Sequence, residues 1–319
     1  MDHHPKDNNK SYVAVIGGAN IDIYATADGR LVSGDSNPGK ITVGMGGVGR
    51  NIADNLAKLA IDVKMVTVIG NDQYGKTLIT QCQDANIDMG HVLQIDDERT
   101  STYVSVLDDN GDLSVAVNDM AIMDLLTPTH LEAHKAMLSG AEIIVLDTNV
   151  SEENIEYIAI NFADKPLFVD AVSSVKAMRI APYLGSVHTL KLNRAEASAL
   201  CEIKPLSNDK LLESARWFHD RGVKRVCVTL GAEGVFYSDG QQNGILASKN
   251  ADSSTVNTSG AGDAFVGGLV HAWLDGMSLI DTVQFAQCAA IIAIEHHLPI
   301  NPDMSIRVIE KVKKEQYGK

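Results

Sequence analysis

Short runs of valine and isoleucine recur along most of the chain, and segments with the apolar period of a helix separate them. A helix is the usual connection between parallel neighbouring strands, so this alternation indicates a parallel sheet covered by helices on both faces. The sequence therefore predicts an α/β fold built on an open, mostly parallel sheet. The predicted strands are 12–17, 63–69, 143–147, 167–170, 187–190 and 225–230.

Two segments, residues 21–45 and 100–118, interrupt the alternation and predict a small additional sheet. The second contains two alternating apolar and polar runs around Asn110 and Gly111, a pair that tolerates the positive φ of a tight hairpin turn. We expect both segments to project over the ligand-binding edge of the main sheet, where they can act as a lid or as the contact of a homodimer. Residues 11–319 are expected to form one domain after a disordered tail at 1–10.

Composition excludes several classes of function. The formal net charge is -14, and the only short basic cluster is at 311–314, so nucleic acid is not an expected partner. The longest apolar run, 288–294, is too short to span a membrane, and the first ten residues lack a signal-peptide core. The four cysteines fall singly, which counts against a disulfide framework or a structural zinc site. We expect a cytoplasmic protein with a small-molecule substrate.

Residues 258–263 read Thr-Ser-Gly-Ala-Gly-Asp and precede a small-residue apolar stretch that predicts a buried helix. The amides of Gly260, Ala261 and Gly262 can form an anion hole at this helix start, where the helix dipole favours negative charge. Asp263 can accept the proton of an attacking hydroxyl, which indicates phosphoryl transfer to an alcohol. An ordinary capped helix start explains the same residues, and the motif alone leaves both interpretations open.

Polar side chains follow the predicted strands at the points where these strands end. The carboxyl ends of parallel strands meet at one edge of a sheet, and ligands bind outside that edge. Carboxylates, amides and one lysine are therefore expected to lie along a common edge: Asn20, Asp22, Asp147, Asn149, Asp170, Lys191, Asn193, Thr229 and Gly231.

Residues 70–77 match the spacing of a phosphate-binding P-loop, but their chemistry favours an ordinary turn. Asp72 would place a carboxylate against the phosphates, Tyr74 adds bulk, and no supporting Walker B aspartate is clearly placed. We interpret the segment as a turn from strand 63–69 into a helix at 75–86.

Residues 44–49 match the glycine fingerprint of dinucleotide-binding folds, which makes an NAD-dependent oxidoreductase the main alternative of another class. The fingerprint belongs after a buried first strand, whereas the segment before these glycines is short and half polar. Gly46 and Gly47 can instead bring a polyhydroxy substrate against the backbone, with the amide of Asn51 facing its hydroxyls. A nucleoside-binding regulator is a further alternative, but it would not need Asp263.

Two signatures identify the chain as similar to the ribokinase-like (PfkB) carbohydrate kinases, from about Tyr12 to the C-terminal helix. The first is Gly-Gly-Val-Gly-Arg-Asn-Ile-Ala at 46–53, and the second is Asn-Thr-Ser-Gly-Ala-Gly-Asp with its following helix at 257–270. The family's Gly-x-Asp-x-x-Gly stands at 70–75, which accounts for the false P-loop. Further matches lie at 17–22, 193–196 and 229–234.

The resemblance implies a ribokinase-like fold, ATP and Mg²⁺ as cofactors, and a role for each matching position. Asp263 is implied as the catalytic base, and Gly260, Ala261 and Gly262 as the anion hole. The nucleotide is expected to contact Asn193, Glu196, Thr229, Gly231 and Gly234, with Glu196 also reaching Mg²⁺ through water. The substrate is expected to contact Asn20, Asp22, Gly46, Gly47, Asn51, Asn118 and Asn149.

The resemblance also bears on the acceptor and on monovalent cations. Residues 35–40, 48–57 and 117–120 look most like those of family members that phosphorylate the ribose 5′-hydroxyl of pseudouridine. Ribokinases, adenosine-type kinases and keto-sugar-acid kinases are the alternatives within the family. Asn257 and the loop at 295–302 depart from the potassium-binding pattern of many relatives, which counts against monovalent-cation activation. The polar side chains expected to contact a nucleobase are Asn37, Lys40, Ser101, Thr102 and Asn118.

Overall fold

Fully buried runs of branched apolar residues form the central strands. The computed structural model describes residues 11–109, 111, 113–204, 206–248 and 260–318. Its strands are β1 Tyr12–Ile16, β2 Asn20–Ala27, β3 Gly39–Gly46, β4 Asp62–Val66, β5 Val68–Gly70, β6 Ile87–Asp88, β7 Leu93–Ile95, β8 Thr102–Leu107, β9 Leu113–Asp119, β10 Ile143–Asp147, β11 Leu167–Asp170, β12 Val187–Asn193, β13 Arg225–Thr229, β14 Val235–Ser238 and β15 Asn243–Leu246.

Helices connect most of the central strands. They are α1 Val48–Lys58, α2 Gln73–Asp84, α3 Pro128–Ala133, α4 Lys135–Gly140, α5 Glu152–Asn161, α6 Ser174–Ala177, α7 Arg194–Cys201, α8 Asn208–His219, α9 Ala261–Leu274, α10 Leu279–Ile294 and α11 Ile306–Tyr317, with 3₁₀ turns at Ala121–Leu125, Met178–Ser186 and Gly231–Glu233. Across the described parts of the chain, no helix combines the length and the apolar character needed to cross a membrane.

The main sheet has nine strands within the described residues, in the order β15-β14-β13-β12-β11-β10-β1-β4-β6. Its strands are parallel from β13 to β6, and β14 and β15 continue the sheet antiparallel. Every residue of β10 and β11 is buried, as expected for parallel strands with helices on both faces. The predicted α/β fold class with a mostly parallel sheet is confirmed.

Alternate residues of each central strand serve two separate cores. Val13 and Val15 of β1 pack with the helices α1, α9 and α10, whereas Ala14 and Ile16 pack with α3, α5 and α8 on the opposite face. A Cβ on Gly268 of α9 would lie 2.6 Å from the Cα of Ala286 in α10. The missing side chain therefore allows α9 and α10 to pack closely.

The run at 63–69 is two strands, where the sequence predicted one. β4 belongs to the main sheet, while β5 pairs with β7 in a separate two-stranded sheet. The carbonyl of Thr67, between the two strands, accepts a hydrogen bond of 2.9 Å from the N–H of Leu93. The break depends on this pairing with a segment 26 residues away, which leaves no mark on the local apolar pattern.

A four-stranded sheet in the order β3-β2-β8-β9 stands apart from the main sheet. β2 pairs antiparallel with β3 and parallel with β8, and β8 forms a hairpin with β9. Gly111 in the hairpin turn has φ of +83°, while its predicted partner Asn110 lies outside the described residues, as does the tail at 1–10. The small sheet has one polar face and one apolar face because side chains alternate along each strand.

Candidate active site

The start of α9 presents backbone N–H groups that have no acceptor within the helix, beside a carboxylate. The N-cap residue Gly260 has φ of +81°, and a Cβ there would lie 2.2 Å from the carbonyl oxygen of Pro299, so only glycine fits. The first helical hydrogen bond runs from the N–H of Ala264 to the carbonyl of Gly260. The preceding N–H groups at 261–263 have no acceptor within the helix. Residues 257–259 of the motif lie outside the described residues.

Asp263 is a buried carboxylate that accepts a hydrogen bond from Asn51. Its Oδ2 accepts a bond of 2.7 Å from Nδ2 of Asn51, which lies in the first turn of α1. Burial and the neighbouring carboxylate of Asp170 raise the pKa of Asp263 to about 7, although Asn51 and Lys191 favour the charged form. The carboxylate is therefore poised to exchange a proton near neutral pH.

Lys191 brings a positive charge to the same place. Its Nζ donates a hydrogen bond of 3.1 Å to Oδ2 of Asp170 on the neighbouring strand, and a Cβ on Gly262 would lie only 2.8 Å from this Nζ. Burial alone would lower the pKa of Lys191, but Asp170, Glu196 and Asp263 outweigh it and raise the pKa. Sequence reasoning placed this lysine at the ligand edge without a role. The glycine motif is what makes room for it.

Asp22 on β2 is held by two neighbours on the same strand. Asn20 donates to its Oδ1 at 2.5 Å, and the hydroxyl of Tyr24 donates to its Oδ2 at 3.1 Å. Burial raises the pKa of Asp22, and these two hydrogen bonds oppose that effect. A Cβ on Gly46 would lie 2.3 Å from Oδ2, so Gly46 provides space for Asp22. Gly47, with φ of +94°, continues the chain into α1.

Asp147 at the end of β10 fixes three loops around the site. Its Oδ2 accepts hydrogen bonds from the N–H groups of Gly18 at 2.8 Å and Gly49 at 2.6 Å, and its Oδ1 accepts one from Asn149 at 2.8 Å. The side chain is fully buried, and burial raises its pKa to about 6. These three hydrogen bonds hold the glycine motif at 46–53, the loop after β1 and Asn149 close together.

A cavity of about 930 Å³ lies between the polar face of the small sheet and the starts of α1 and α9. Eight predicted site residues border it: Asn20, Asp22, Gly47, Asn51, Asn118, Asn149, Gly260 and Asp263. Sequence reasoning missed other lining residues, among them Tyr24, Tyr103, Val172, Lys176 and His297. Only Tyr24 had a local signal, because it shares the face of Asn20 and Asp22 on one strand. The others come from segments whose proximity depends on the fold.

Four of the five proposed nucleobase contacts do not border this cavity. The side-chain amide of Asn37 accepts a hydrogen bond from the N–H of Val32 and donates one to its carbonyl. Lys40 lies on β3 and Ser101 lies just before β8, both away from the cavity. Thr102 faces a different cavity of about 570 Å³, which also touches Tyr74 and Val117. Asn118 alone of the five lies on the larger cavity.

The predicted nucleotide residues form a second group at neighbouring strand ends. Asn193 and Thr229 are paired in register on β12 and β13. Asn193 and Glu196 form a reciprocal capping box at the start of α7, with the Asn193 N–H and Nδ2 donating to Glu196 at 2.7 and 2.6 Å. Gly231 has φ of +64° with open space around it, whereas Gly234, at φ of +107°, is required by the close carbonyl of Leu246.

Glu196 is the buried carboxylate of this second group. Burial raises its pKa, and Lys191 partly opposes the shift. In the described ranges, no three histidine, cysteine, aspartate or glutamate side chains are grouped to hold a metal ion. A single buried carboxylate is compatible with Mg²⁺, which usually keeps several waters and takes few protein ligands; Glu196 would then reach the ion through water.

The two competing glycine motifs have structural explanations. Asp72 caps α2 by accepting from the N–H of Gly75 at 2.8 Å, and it also accepts from the N–H and Oγ1 of Thr100 at 3.0 and 2.7 Å. Its carboxylate therefore fills the place that phosphate would need in a P-loop. The glycines at 44–49 span the end of β3, an edge strand of the small sheet, and the start of α1. A dinucleotide fingerprint instead follows the first strand of the parallel sheet.

Comparison with known proteins settles the class. A family model described as pfkB family carbohydrate kinase matches residues 10–306. The chain belongs to this PfkB family. Pseudouridine kinase of Escherichia coli strain K12 is 40% identical to it over 299 residues, covering 93% of this chain and 95% of that protein. The chain is thus a PfkB phosphotransferase with an alcohol group as acceptor.

Solved structures of PfkB-like kinases share the fold over nearly the whole chain. A putative sugar kinase from Clostridium perfringens is 30% identical with a TM-score of 0.85, covering 96% of both chains. Arabidopsis thaliana ribokinase complexed with ribose and ATP is 23% identical with a TM-score of 0.82, covering 96% of this chain and 99% of that chain. The ribokinase-like fold predicted by the resemblance is confirmed, and the oxidoreductase alternative is excluded.

Proposed function

We propose that the chain transfers the γ-phosphoryl group of ATP to the ribose 5′-hydroxyl of pseudouridine. The observation that carries this proposal is Asp263, a buried carboxylate at the start of α9 that also borders the 930 Å³ cavity. A base, an anion site and an acceptor pocket meet at this residue. The 40% identity to a pseudouridine kinase supports pseudouridine as the acceptor.

Asp263 acts as the general base in this proposal. With its pKa raised to about 7, a substantial fraction is ionised at neutral pH, yet the carboxylate remains basic enough to accept a hydroxyl proton. The hydrogen bond from Asn51 to Oδ2 fixes the orientation of the carboxylate. Oδ1 then faces the 5′-hydroxyl and takes its proton as the oxygen attacks phosphorus.

The ribose hydroxyls are held on the opposite side of the cavity. Asp22 accepts hydrogen bonds from hydroxyl groups, while Asn20 provides an amide donor and acceptor. Both are prepositioned, because Asn20 and Tyr24 donate hydrogen bonds to the carboxylate of Asp22. This preorganisation is what a reaction that depends on alignment requires.

The transferring group meets the start of α9 and Lys191. The N–H groups at 261–263 donate to its equatorial oxygens, and the Lys191 ammonium neutralises charge as it develops there. Bound ATP supplies the phosphoryl group, and its Mg²⁺ supplies positive charge to the phosphates. Thr229 and Gly231 border the nucleotide, and Glu196 contacts the water shell of the ion.

The outer face of the small sheet supports the proposal of a homodimer. Its edge strands expose Ile41, Val43, Val115 and Val117 there, of which Val117 is 65% exposed. Exposed apolar patches of this kind, along unpaired strand edges, commonly mark contacts with another chain. A second copy packed through the same sheet covers both the patch and the edges.

An ATP-consumption assay across acceptors tests the proposed function. Pseudouridine, uridine, adenosine, ribose and a keto-sugar acid are compared by kcat/KM, and the product is located by phosphorus NMR. We expect the highest kcat/KM with pseudouridine and no phosphorylation of 5′-deoxypseudouridine, which lacks the accepting hydroxyl. Turnover of ribose without turnover of pseudouridine would refute the acceptor and keep the kinase class.

A further inference from the structure

A second, smaller cavity adjoins the acceptor cavity and extends the room available to a ligand. It measures about 280 Å³ and shares Asn118, Met120, Asn149 and Lys176 with the larger cavity. A pentose bound between Asp22 and Asp263 leaves this extension empty. The shared residues therefore face whatever group the acceptor carries beyond its sugar.

Lys176 is the only cation that borders both cavities among the described residues. Its Nζ donates a hydrogen bond of 2.5 Å to Oδ1 of Asn149. Burial lowers the pKa of Lys176, and the nearby carboxylates of Asp147 and Asp124 partly oppose that shift. An ammonium has three donors, so two remain for an acceptor group on a ligand.

The backbone before Lys176 is built to aim this side chain. Val172 has φ of +59°, a conformation that is a genuine outlier for a β-branched residue. Its N–H donates to Oδ1 of Asp170 at 2.8 Å, and Ser173 then caps α6 by accepting from the N–H of Lys176. The strained turn directs Lys176 toward the cavities, and strain of this kind persists where the surroundings enforce it.

The partner Asn149 is fixed from a second side. Nη1 of Arg179 donates to the carbonyls of residues 148–150, which include Asn149, at distances of 2.8 to 3.1 Å. Nη1 of Arg179 is therefore occupied by backbone carbonyls. Lys176 uses one donor on Asn149, and its other two remain for the cavity. Lys176 and Asn149 therefore form a rigid group of hydrogen-bond donors where the two cavities meet.

Two ligand chemistries suit a donor cluster, a carbonyl oxygen of an uncharged base and the carboxylate of a sugar acid. Asp119 and Asp124 line the adjoining cavity, and their charges oppose a bound carboxylate. The amide of Asn118 offers both a donor and an acceptor beside the cluster, which matches the alternating carbonyl and N–H groups of a pyrimidine-type base. The surroundings therefore favour the uncharged base.

We infer that Lys176, positioned with Asn149, binds a carbonyl oxygen of the nucleobase and selects a nucleoside over a bare sugar. This inference rests on the proposed nucleoside kinase function and adds the residue that determines specificity. A group that contacts only the base affects binding of the base-bearing substrate and leaves the sugar chemistry unchanged.

The test compares Lys176→Met with the wild type and with Lys224→Met, an exposed lysine at the far end of β13. KM and kcat are measured for pseudouridine, ribose and a keto-sugar acid, and thermal melting checks the fold. For Lys176→Met we expect KM for pseudouridine to rise about 10- to 100-fold, because the variant loses one hydrogen bond from a charged donor. KM and kcat for ribose are expected to stay within about two-fold of the wild type, and Lys224→Met is expected to match the wild type with all substrates.

Each contrary outcome has a distinct meaning. A wild type that does not phosphorylate pseudouridine refutes the proposed function, and the inference falls with it. A wild type that turns pseudouridine over while Lys176→Met keeps its KM refutes the inference alone. Equal losses with pseudouridine and ribose show a structural role and also refute it. An effect confined to the keto-sugar acid shows that the lysine binds a carboxylate.

Discussion

Asn51 and Asp263, 212 residues apart in the chain, are joined by a hydrogen bond of 2.7 Å from the amide Nδ2 to the carboxylate Oδ2. The bond ties the start of α1 to the start of α9 and links the two glycine motifs of the PfkB family. It orients the carboxylate of Asp263 and stabilises its charged form. Among the described residues Oδ1 accepts no hydrogen bond, and in the proposed mechanism this oxygen faces the acceptor hydroxyl.

Replacement of Asn51 by alanine is expected to move the pH dependence of catalysis. With Asp263 as the proposed base, we expect the wild-type kcat/KM to fall as the pH drops through about 7, because the protonated carboxyl cannot accept the hydroxyl proton. Removal of the amide donor destabilises the carboxylate and raises its pKa, so the acid limb of Asn51→Ala shifts to higher pH. An acid limb identical to that of the wild type and of the surface control Asn161→Ala would disprove the coupling.

Lys191→Met is expected to affect both stability and turnover. The substitution leaves Asp170 and Asp263 buried without their cation, and removal of one partner of a buried ion pair costs about 3–5 kcal/mol. The double variant Lys191→Met with Asp170→Asn removes both charges and regains much of the free energy of unfolding, as measured in urea. Its kcat stays low because the anion site lacks a cation; wild-type kcat in the double variant would contradict that role.

The sequence predicts the buried parts of this fold better than its junctions. Strands 143–147 and 167–170 match the observed bounds, because fully buried parallel strands are continuous apolar runs that end at Asp147 and Asp170. The break at Thr67 was missed because a distant segment causes it. Family signatures located Asp263, but which side chains approach it depends on the order of strands in space, and the local pattern does not encode that order.

The same limit explains why Lys176 and Lys191 received no role from the sequence. Neither lysine belongs to a recognisable sequence motif. Each lies at the site only because the fold brings the ends of neighbouring strands together. For the same reason, four of the five nucleobase contacts expected from the sequence do not border the larger cavity. Alternation of side chains places Asn118 on the cavity face of β9, whereas Asn37 lies in an exposed loop before β3.

Asp72→Ala is expected to weaken the fold and leave nucleotide binding intact. Loss of an N-cap costs about 0.5–2 kcal/mol. Burial alone would raise the pKa of Asp72, but hydrogen bonds from Thr100 and Gly75 outweigh it and lower the pKa. Its stabilisation is therefore present above the ordinary aspartate range and is lost as the pH falls through the lowered folded-state pKa.

Urea unfolding of wild type and Asp72→Ala as a function of pH checks this account. The difference between the two proteins is expected to disappear in strong acid, while KM for ATP stays unchanged at neutral pH. A large rise in KM for ATP with little change in stability would support the P-loop interpretation instead.

The double variant Val43→Asp and Val117→Asp is expected to be monomeric. Both side chains lie on the apolar face of the small sheet and are 54% and 65% exposed. Buried carboxylates without partners are costly, so the charges oppose packing of a second copy. Light scattering gives the mass, and Ile160→Asp on α5 serves as an exposed apolar control. The control is expected to remain dimeric, and a dimer that persists in the double variant would locate the interface elsewhere.

Turnover by Asp263→Asn tests the role of the base most directly. Burial raises the carboxylate pKa, so ionisation of Asp263 weakens the fold as the pH rises through about 7, and the neutral isostere is expected to fold normally. We expect kcat with pseudouridine to fall roughly 10²- to 10⁴-fold, as for removal of a general base, while calorimetry shows unchanged ATP affinity. Near-normal kcat in a folded Asp263→Asn variant would contradict the assignment of Asp263 as the catalytic base.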